Sequence, residues 1–262
     1  MRDQLAPVLK QSRVRQSFCR GLQSYHQSAS VQAQIAQELV QQMQAQDIGP
    51  QVGRALEFGA GTGHLTAALL EAFEIADLTL NDLVPEAEAP LRRVLSDFHQ
   101  PASLRFGPIE TLDMSGSFDL ITSSSAVQWI EDLPSALHRL ADHLRPGGWL
   151  GFSGFGCSQF HQLAELGSVA AAPSYLDARD WPQVLPAGMS AVAVQQQEIT
   201  LQFDSALDLL RHLRRTGVNG QASRGWTRAD LRDFDRCYRA RFGREDTLPL
   251  SYDAVWILAR KL

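Results

Sequence analysis

The residues best suited to chemistry form a glycine-rich loop with an acid in front of it. Gly59, Gly61 and Gly63 alternate with other residues, and Glu57 stands two positions before the first of them. Glycines let the backbone approach a ligand closely, and a helix that follows offers unpaired N–H groups. The dinucleotide pattern G-x-G-x-x-G is not completed, because His64 stands where its last glycine belongs. The acidic Glu57 suits a cationic ligand better than a phosphate.

Two further places could complete a nucleoside site. Asp82 follows the next apolar run, where an acid can accept hydrogen bonds from two ribose hydroxyls, although alone it is more often a turn or cap residue. Farther on, Ile109 and Glu110 offer a backbone N–H and a carboxylate side by side, which could read an adenine edge. A solvated loop acid explains Glu110 equally well.

Alternating strands and helices must position these residues. Apolar runs predict strands at 55–58, 78–81, 103–107, 118–123 and 149–154. Apolar residues at helical spacing predict helices at 10–45, 65–73, 86–98 and 134–144, the last stopping at the Arg-Pro-Gly-Gly of 145–148. Residues 160–190 look irregular, and the chain ends with a strand at 199–203, a helix at 206–213 and a strand at 252–260. Such alternation predicts an α/β fold with a mostly parallel sheet covered on both faces.

Composition narrows the function classes. The chain has 262 residues, 44% hydrophobic and 20% charged, which is typical of a globular protein rather than a disordered or fibrous one. It has no apolar run of membrane-spanning length and no apolar secretory stretch near its start, so we expect a cytoplasmic protein with no membrane partner. The three cysteines are scattered, the seven histidines show no ligand spacing, and no G-x-S-x-G occurs, so we expect neither a metal nor a hydrolase.

The charge is unevenly distributed. A net charge of −5 argues against a nucleic-acid partner. Yet residues 205–244, the arginine-rich segment, carry ten arginines against four acids, a surplus of six, so the remainder sums to −11.

The glycine loop, Asp82 and the Ile109–Glu110 pair, in this order, resemble class I S-adenosylmethionine-dependent methyltransferases. Within that superfamily the chain is similar, over nearly its whole length, to the malonyl-acyl carrier protein O-methyltransferases of biotin synthesis. The marks are Phe18-x6-Tyr25 with Gln32, LEFGAGTGHLT (56–66), Ser-Ala-Val-Gln-Trp (125–129), Leu-Arg-Pro-Gly-Gly (144–148) and Leu-Arg-Arg-Thr-Gly-Val-Asn (213–219). Three positions depart from the family: Pro108 replaces a common aspartate, Asn81 an apolar residue and Arg214 a customary lysine.

The resemblance implies a fold and a cofactor. We expect a Rossmann-like class I methyltransferase with a seven-stranded sheet, forming a single domain over 1–262 with an N-terminal helical lid (1–48) and an insertion near the substrate site (155–190). S-adenosylmethionine would serve as co-substrate. The residues expected to bind it are Glu57, Gly59, Ala60, Gly61, Asp82, Leu83, Ile109, Glu110 and Ser123.

The implied reaction is methyl transfer to the free carboxylate of a malonyl thioester, an early step of biotin synthesis that removes a charge before fatty-acid elongation. Such a carboxylate is already ionised at neutral pH, so no general base is required. Arginine suits a carboxylate best, because its planar guanidinium can hydrogen-bond both carboxylate oxygens. Arg214 is therefore the first candidate to bind the malonyl carboxylate, and Arg215 is the second. Tyr25 would orient the malonyl group from the lid, and Gln128 and Trp129 would line the transfer pocket. Arginines on a solvated helix face and a core tryptophan are the plainer interpretations.

The implied partner is malonyl-acyl carrier protein, or malonyl-coenzyme A. Because acyl carrier proteins are acidic, several of Arg224, Arg228, Arg232, Arg236 and Arg239 could meet the carrier, although the same residues could simply keep a helix face soluble. Three alternatives stay open: a methyltransferase for a small free carboxylate such as an aconitate-type acid, a non-catalytic S-adenosylmethionine-binding regulatory module and, more weakly, a nicotinamide-dependent oxidoreductase.

Overall fold

The computed structural model of the protein describes residues 29–46, 48–168, 171–216 and 227–262. Within these ranges, seven strands form one sheet in the order β3-β2-β1-β4-β5-β7-β6. The strands are β1 Gln51–Phe58, β2 Glu74–Asp82, β3 Ala102–Phe106, β4 Phe118–Ser124, β5 Leu144–Phe155, β6 Met189–Phe203 and β7 Leu248–Lys261. Strands β1 to β5 pair in parallel, and β7 runs antiparallel to β5. The predicted mostly parallel seven-stranded sheet is therefore confirmed.

Helices connect these strands, and the faces predicted to be apolar are buried. The helices are α1 Ser30–Gln44, α2 His64–Ala72, α3 Glu88–Asp97, α4 Leu133–Asp142, α5 His161–Glu165, α6 Trp181–Val184, α7 Ala206–Arg215 and α8 Arg228–Phe242. Ile35 of α1 accepts a hydrogen bond from Trp256 Nε1 of β7 at 2.9 Å, which fastens α1 to the sheet. Residues 1–28, the larger part of the predicted lid, lie outside the described ranges. No helix of the described residues is long and apolar enough to cross a membrane.

The described residues form two compact units. The larger comprises Ser30–Cys157, Ala172–Gln197 and Ala254–Leu262. The smaller comprises Ala29 and the described parts of Ser158–Ala171 and Glu198–Asp253. The expected insertion at 155–190 contributes residues to both units. A single domain with a lid and an insertion near the substrate site stays a prediction.

Several strands begin earlier than expected; β1, β2 and β7 each do so by four residues, and β5 and β6 by more. Residues 145–148 lie inside β5 rather than before it, because Leu144 already pairs with Phe118 and the ladder resumes, after a register shift, at Trp149 opposite Leu120. Strand β6 begins at Met189, not at residue 199. As the last strand in the sheet order, β6 can carry the polar run 195–197 without an alternating apolar face.

Ion pairs tie the strands together near their amino ends. Arg54 of β1 pairs with Asp77 of β2 at 2.9 Å and lies over the Phe118 ring of β4, with its guanidinium carbon 4.5 Å from the ring centroid. Asp119 of β4 accepts a hydrogen bond from the Arg54 backbone N–H at 2.5 Å and pairs with Arg145. The carboxyl ends of the same strands are left for the polar residues predicted to form the site.

Candidate active site

The glycine loop (59–63) leaves the carboxyl end of β1 and packs tightly against the turn that follows β4. Gly59 has a φ of +65°, and a Cβ added there would lie 2.4 Å from Cβ of Ala126. At Gly61, also at positive φ, an added Cβ would meet no atom closer than the Gly59 carbonyl oxygen at 4.0 Å. The sheet order reverses between β1 and β4, and this is where ligands bind in open α/β sheets.

Strand β2 holds the glycine loop in place. The Ala60 N–H donates to the main-chain oxygen of Asn81 at 3.1 Å, and the Gly61 N–H donates to Oδ2 of Asp82 at 2.7 Å. Both residues come from the end of β2, whose last residues pair with the end of β1. The loop conformation is therefore set by its neighbouring strand as well as by its glycines.

Glu57 is a buried acid whose pKa is strongly raised. Its side chain is enclosed, and the Thr66 hydroxyl donates a hydrogen bond to Oε2 at 2.8 Å. The pKa of Glu57 is raised from its ordinary value of 4.5 to about 8, chiefly by burial; the negative charge of Asp82 adds to this rise, and the Thr66 hydrogen bond opposes it. A cationic ligand would favour the ionised form of this carboxyl.

Asp82 also stands where the sequence predicts, as the last residue of β2. Its Oδ1 accepts the Val84 N–H at 2.9 Å, and its Oδ2 accepts the Gly61 N–H. Burial raises the pKa of Asp82, although hydrogen bonds from Val84, Gly61 and Leu83 oppose this. A carboxylate oxygen can accept more than one hydrogen bond, so Asp82 can still bind a ligand hydroxyl.

The loop after β3 (107–112), which carries Ile109 and Glu110, is hydrogen-bonded to the end of β2. The Gly107 N–H donates to the main-chain oxygen of Asp82 at 2.9 Å, and a short 3-10 turn over Ile109–Thr111 follows. Ile109 is buried and Glu110 is partly exposed. Arg139 of α4 donates to the Ile109 oxygen at 2.8 Å and also to the Leu112 oxygen. This anchoring arginine was not found from the sequence, because an arginine on an amphipathic helix carries no local signal of its partner.

The end of β4 and the turn that follows it (125–129) carry buried polar atoms that lack partners among the described residues. Ser123 Oγ, Ser125 Oγ and Gln128 Oε1 form no hydrogen bond with the described part of the chain, and Ser125 has a φ of +55°. Gln128 Nε2 donates to the Ser125 oxygen at 2.7 Å, which leaves Oε1 as an acceptor. Ser125 was missed as a candidate, since neither its strained backbone nor its buried hydroxyl can be inferred from a serine in sequence.

These features fit S-adenosylmethionine. Buried polar groups are normally hydrogen-bonded. The buried oxygens of Ser123, Ser125 and Gln128 have no partner among the described residues, so they suit a ligand that carries hydrogen-bond donors. The positive charges of the sulfonium and ammonium groups match the buried acids Glu57 and Asp82. Among the described residues, no group of three or more His, Cys, Asp and Glu side chains could hold a metal ion.

The predicted site residues are divided between the two units and the part of the chain outside the described ranges. The expected cofactor residues all lie in the larger unit, as do Gln128 and Trp129. Arg214 and Arg215 are exposed at the end of α7 in the smaller unit, and Tyr25 lies outside the described residues.

The strand order, the glycine loop and the acid after β2 define a class I S-adenosylmethionine-dependent methyltransferase. Residues 56–150 match a family model described as a methyltransferase domain. The chain belongs to the malonyl-[acyl-carrier protein] O-methyltransferase family. It is 34% identical to the member from Chlorobium luteolum, covering 98% of each chain, and 36% identical to the member from Prosthecochloris aestuarii, covering 97% of this chain and 94% of the other.

A solved structure shows the same fold at low identity. The magnesium protoporphyrin IX methyltransferase from Synechocystis PCC 6803, crystallised with bound S-adenosyl-L-homocysteine, superposes with a TM-score of 0.58 at 12% identity. The match covers 92% of this chain and 86% of that one. The predicted Rossmann-like architecture is thereby confirmed.

Proposed function

We propose that this chain transfers a methyl group from S-adenosylmethionine to the free carboxylate of malonyl-acyl carrier protein, at an early step of biotin synthesis. The observation that carries the proposal is similarity over the full chain, at 34% and 36% identity, to relatives named for malonyl-acyl carrier protein methylation. The cation-suited site at the carboxyl ends of β1, β2 and β4 supports the choice of methyl donor.

The co-substrate supplies an electrophilic methyl group on a sulfonium ion. The chain has to bind it, align it with the acceptor and exclude water. In this proposal Asp82 accepts the ribose hydroxyls, Glu57 offsets the positive charge, and Ile109 and Glu110 meet the adenine. The remaining cofactor contacts come from Gly59, Ala60, Gly61, Leu83 and Ser123.

The acceptor side is assigned to Tyr25, Trp129, Arg214 and Arg215, with the arginines as partners of the malonyl carboxylate. Gln128 is also assigned to this pocket. One of its two amide protons is donated to the Ser125 oxygen, which leaves a second N–H for an acceptor carboxylate and a buried Oε1 for a donor.

Helix α8 offers a surface for an acidic carrier protein. Arg228, Arg232 and Arg236 are spaced four residues apart, so they share one face of α8, and all three are exposed. Arg236 pairs with Asp233, whereas Arg228 and Arg232 form no ion pair with the described residues. Arg239, also predicted to meet the carrier, instead donates to Asp235 and to the main-chain oxygens of 204 and 246. We assign Arg239 to holding α8 in place.

The proposed reaction is tested by incubating the protein with methyl-labelled S-adenosylmethionine and three acceptors. Malonyl-acyl carrier protein should be methylated fastest, malonyl-coenzyme A more slowly, and free dicarboxylates not at all. Label on neither malonyl thioester would overturn the proposal. Transfer to a free dicarboxylate alone would favour the small-acid methyltransferase instead.

The docking surface is tested with R228E/R232E. At low salt we expect KM for malonyl-acyl carrier protein to rise about tenfold, because reversed charges slow the encounter with an acidic partner. KM for S-adenosylmethionine should not change. The matched control is R92E/R93E, two exposed arginines of α3, which should leave both constants unchanged. An unchanged KM for the carrier substrate in R228E/R232E would exclude this surface.

A further inference from the structure

We infer that Asn81 is a positioning residue for base recognition: its side-chain amide sets the loop after β3 so that Ile109 and Glu110 can read the edge of adenine. The inference rests on the proposed co-substrate site. Asn81 is 2% exposed and is the next-to-last residue of β2, between Leu80 and Asp82. A buried amide in such a place is costly unless it is hydrogen-bonded, so its partners indicate its use.

Both protons of the Asn81 amide are used on the chain that leaves β3. Nδ2 donates to the main-chain oxygen of Arg105 at 3.2 Å and to that of Gly107 at 3.0 Å. These carbonyls lie on either side of Phe106, the last residue of β3. The amide therefore defines the direction in which the loop departs.

Asn81 connects this loop to the rest of the site through its backbone. Its main-chain oxygen accepts the Ala60 N–H of the glycine loop at 3.1 Å. The residue after it, Asp82, accepts the Gly107 N–H on its own main-chain oxygen. One strand end thus aligns the glycine loop, the proposed ribose acid and the proposed adenine loop.

Gly107 makes this alignment necessary. Its φ of +137° is accessible to glycine and strained for other residues, and an added Cβ would meet no atom of the described residues within 4 Å. Backbone and Asn81 hydrogen bonds therefore define the bend. Beyond the bend, Pro108 has a fixed φ and no N–H, so the turn at Ile109 inherits its direction. Arg139 holds the far end of the same loop, and Asn81 holds the near end.

The test measures base preference as well as affinity. Binding of S-adenosylhomocysteine and of S-inosylhomocysteine, which carries an oxygen in place of the adenine amino group, is followed by titration calorimetry. The wild type should prefer the adenine ligand. Asn81→Leu should bind S-adenosylhomocysteine about tenfold more weakly, the size expected for two neutral hydrogen bonds, and its preference for adenine should fall toward equality. Asn81→Asp, which keeps the shape but loses the donor, should behave alike and serves if the leucine variant does not fold.

Gln100→Leu is the matched control. Gln100 Nε2 also donates to two main-chain oxygens, those of Ile75 and Pro101, each at 3.1 Å, but near the opposite ends of the same two strands. This variant should unfold at a lower temperature yet keep the base preference of the wild type.

Three results would overturn the inference while leaving the proposed methyl transfer intact. The base preference could stay unchanged in the Asn81 variants, Gln100→Leu could lose as much base preference as they do, or the wild type could show no base preference. A wild type that does not bind S-adenosylhomocysteine would overturn the proposed function as well.

Discussion

Glu57 couples the stability of the chain to pH. A carboxyl whose pKa is higher in the folded chain than in the unfolded chain holds more protons when folded between the two values, so the free energy of unfolding falls as the pH rises across that interval. For Glu57 the interval runs from 4.5 to about 8. Below pH 4.5 the Glu57 carboxyl is neutral in both the folded and the unfolded chain, and its contribution to the free energy of unfolding is fully present.

Glu57→Gln should remove this dependence. The glutamine oxygen can still accept the Thr66 hydroxyl but carries no charge at any pH. Between pH 5 and pH 8.5, values chosen to bracket most of the interval, we expect the variant to lose less free energy of unfolding than the wild type in urea titrations. Glu71→Gln, on the exposed side of α2, should follow the wild type. Parallel curves for Glu57→Gln and the wild type would contradict the prediction.

At the scale of elements, the site depends on how closely two chain segments approach. The glycine loop after β1 and the turn after β4 touch at Gly59 and Ala126, where the added Cβ would lie only 2.4 Å from its neighbour. Two constraints therefore act on Gly59: the positive φ of its backbone and the lack of space for a side chain.

These constraints can be separated by mutation. Gly59→Ala should weaken S-adenosylmethionine binding by more than about tenfold, because it combines backbone strain with overpacking. Adding Ala126→Gly removes the atom that the new methyl group meets, so the double variant should recover part of the loss, as measured by calorimetry. Ala126→Gly alone is the control and should bind within about threefold of the wild type. No recovery in the double variant would mean that backbone strain alone decides the effect.

The sequence predicted the parts of this site that are encoded locally. The Gly59–Gly63 pattern demands an unusual backbone, and the apolar spacing of Leu65, Ala68 and Leu69 specifies one helix face; both were found. Asn81 was noticed only as an unusual residue, because its partners at 105 and 107 come near it through strand pairing.

Strand ends were missed for a related reason. Arg-Pro-Gly-Gly normally breaks a strand, yet pairing of Leu144 with Phe118 brings these residues into β5. In the arginine-rich segment, sequence alone could not separate exposed arginines such as Arg228 from the anchored Arg239. The acceptors of Arg239 include the main-chain oxygens of residues 204 and 246, and a main-chain acceptor leaves no signal in the sequence.

Over the whole molecule, charge is separated rather than balanced. The arginine-rich segment has a surplus of six positive charges, and the rest of the chain has a deficit of eleven. Because the positive surplus is confined to one segment, a negative protein should be drawn to that segment. Attraction between exposed charges is screened over about 8 Å at physiological ionic strength, so added salt should weaken it.

Raising NaCl from about 50 to about 300 mM should increase KM for malonyl-acyl carrier protein severalfold while kcat stays nearly constant. The effect acts on encounter and not on methyl transfer. Steady-state rates over a salt series measure it, and R228E/R232E should show a flatter dependence. A KM that ignores salt would contradict electrostatic docking.

The ion pairs near the amino ends of the strands have a practical consequence for protein engineering. These interactions connect β1, β2, β4 and β5 at the amino ends of the strands, opposite the candidate site, through Arg54, Asp77, Asp119 and Arg145. Substitutions that improve heat tolerance can be sought there without redesigning the catalytic edge. The amino ends of the strands are also the better side for attaching a fluorophore or a solid support.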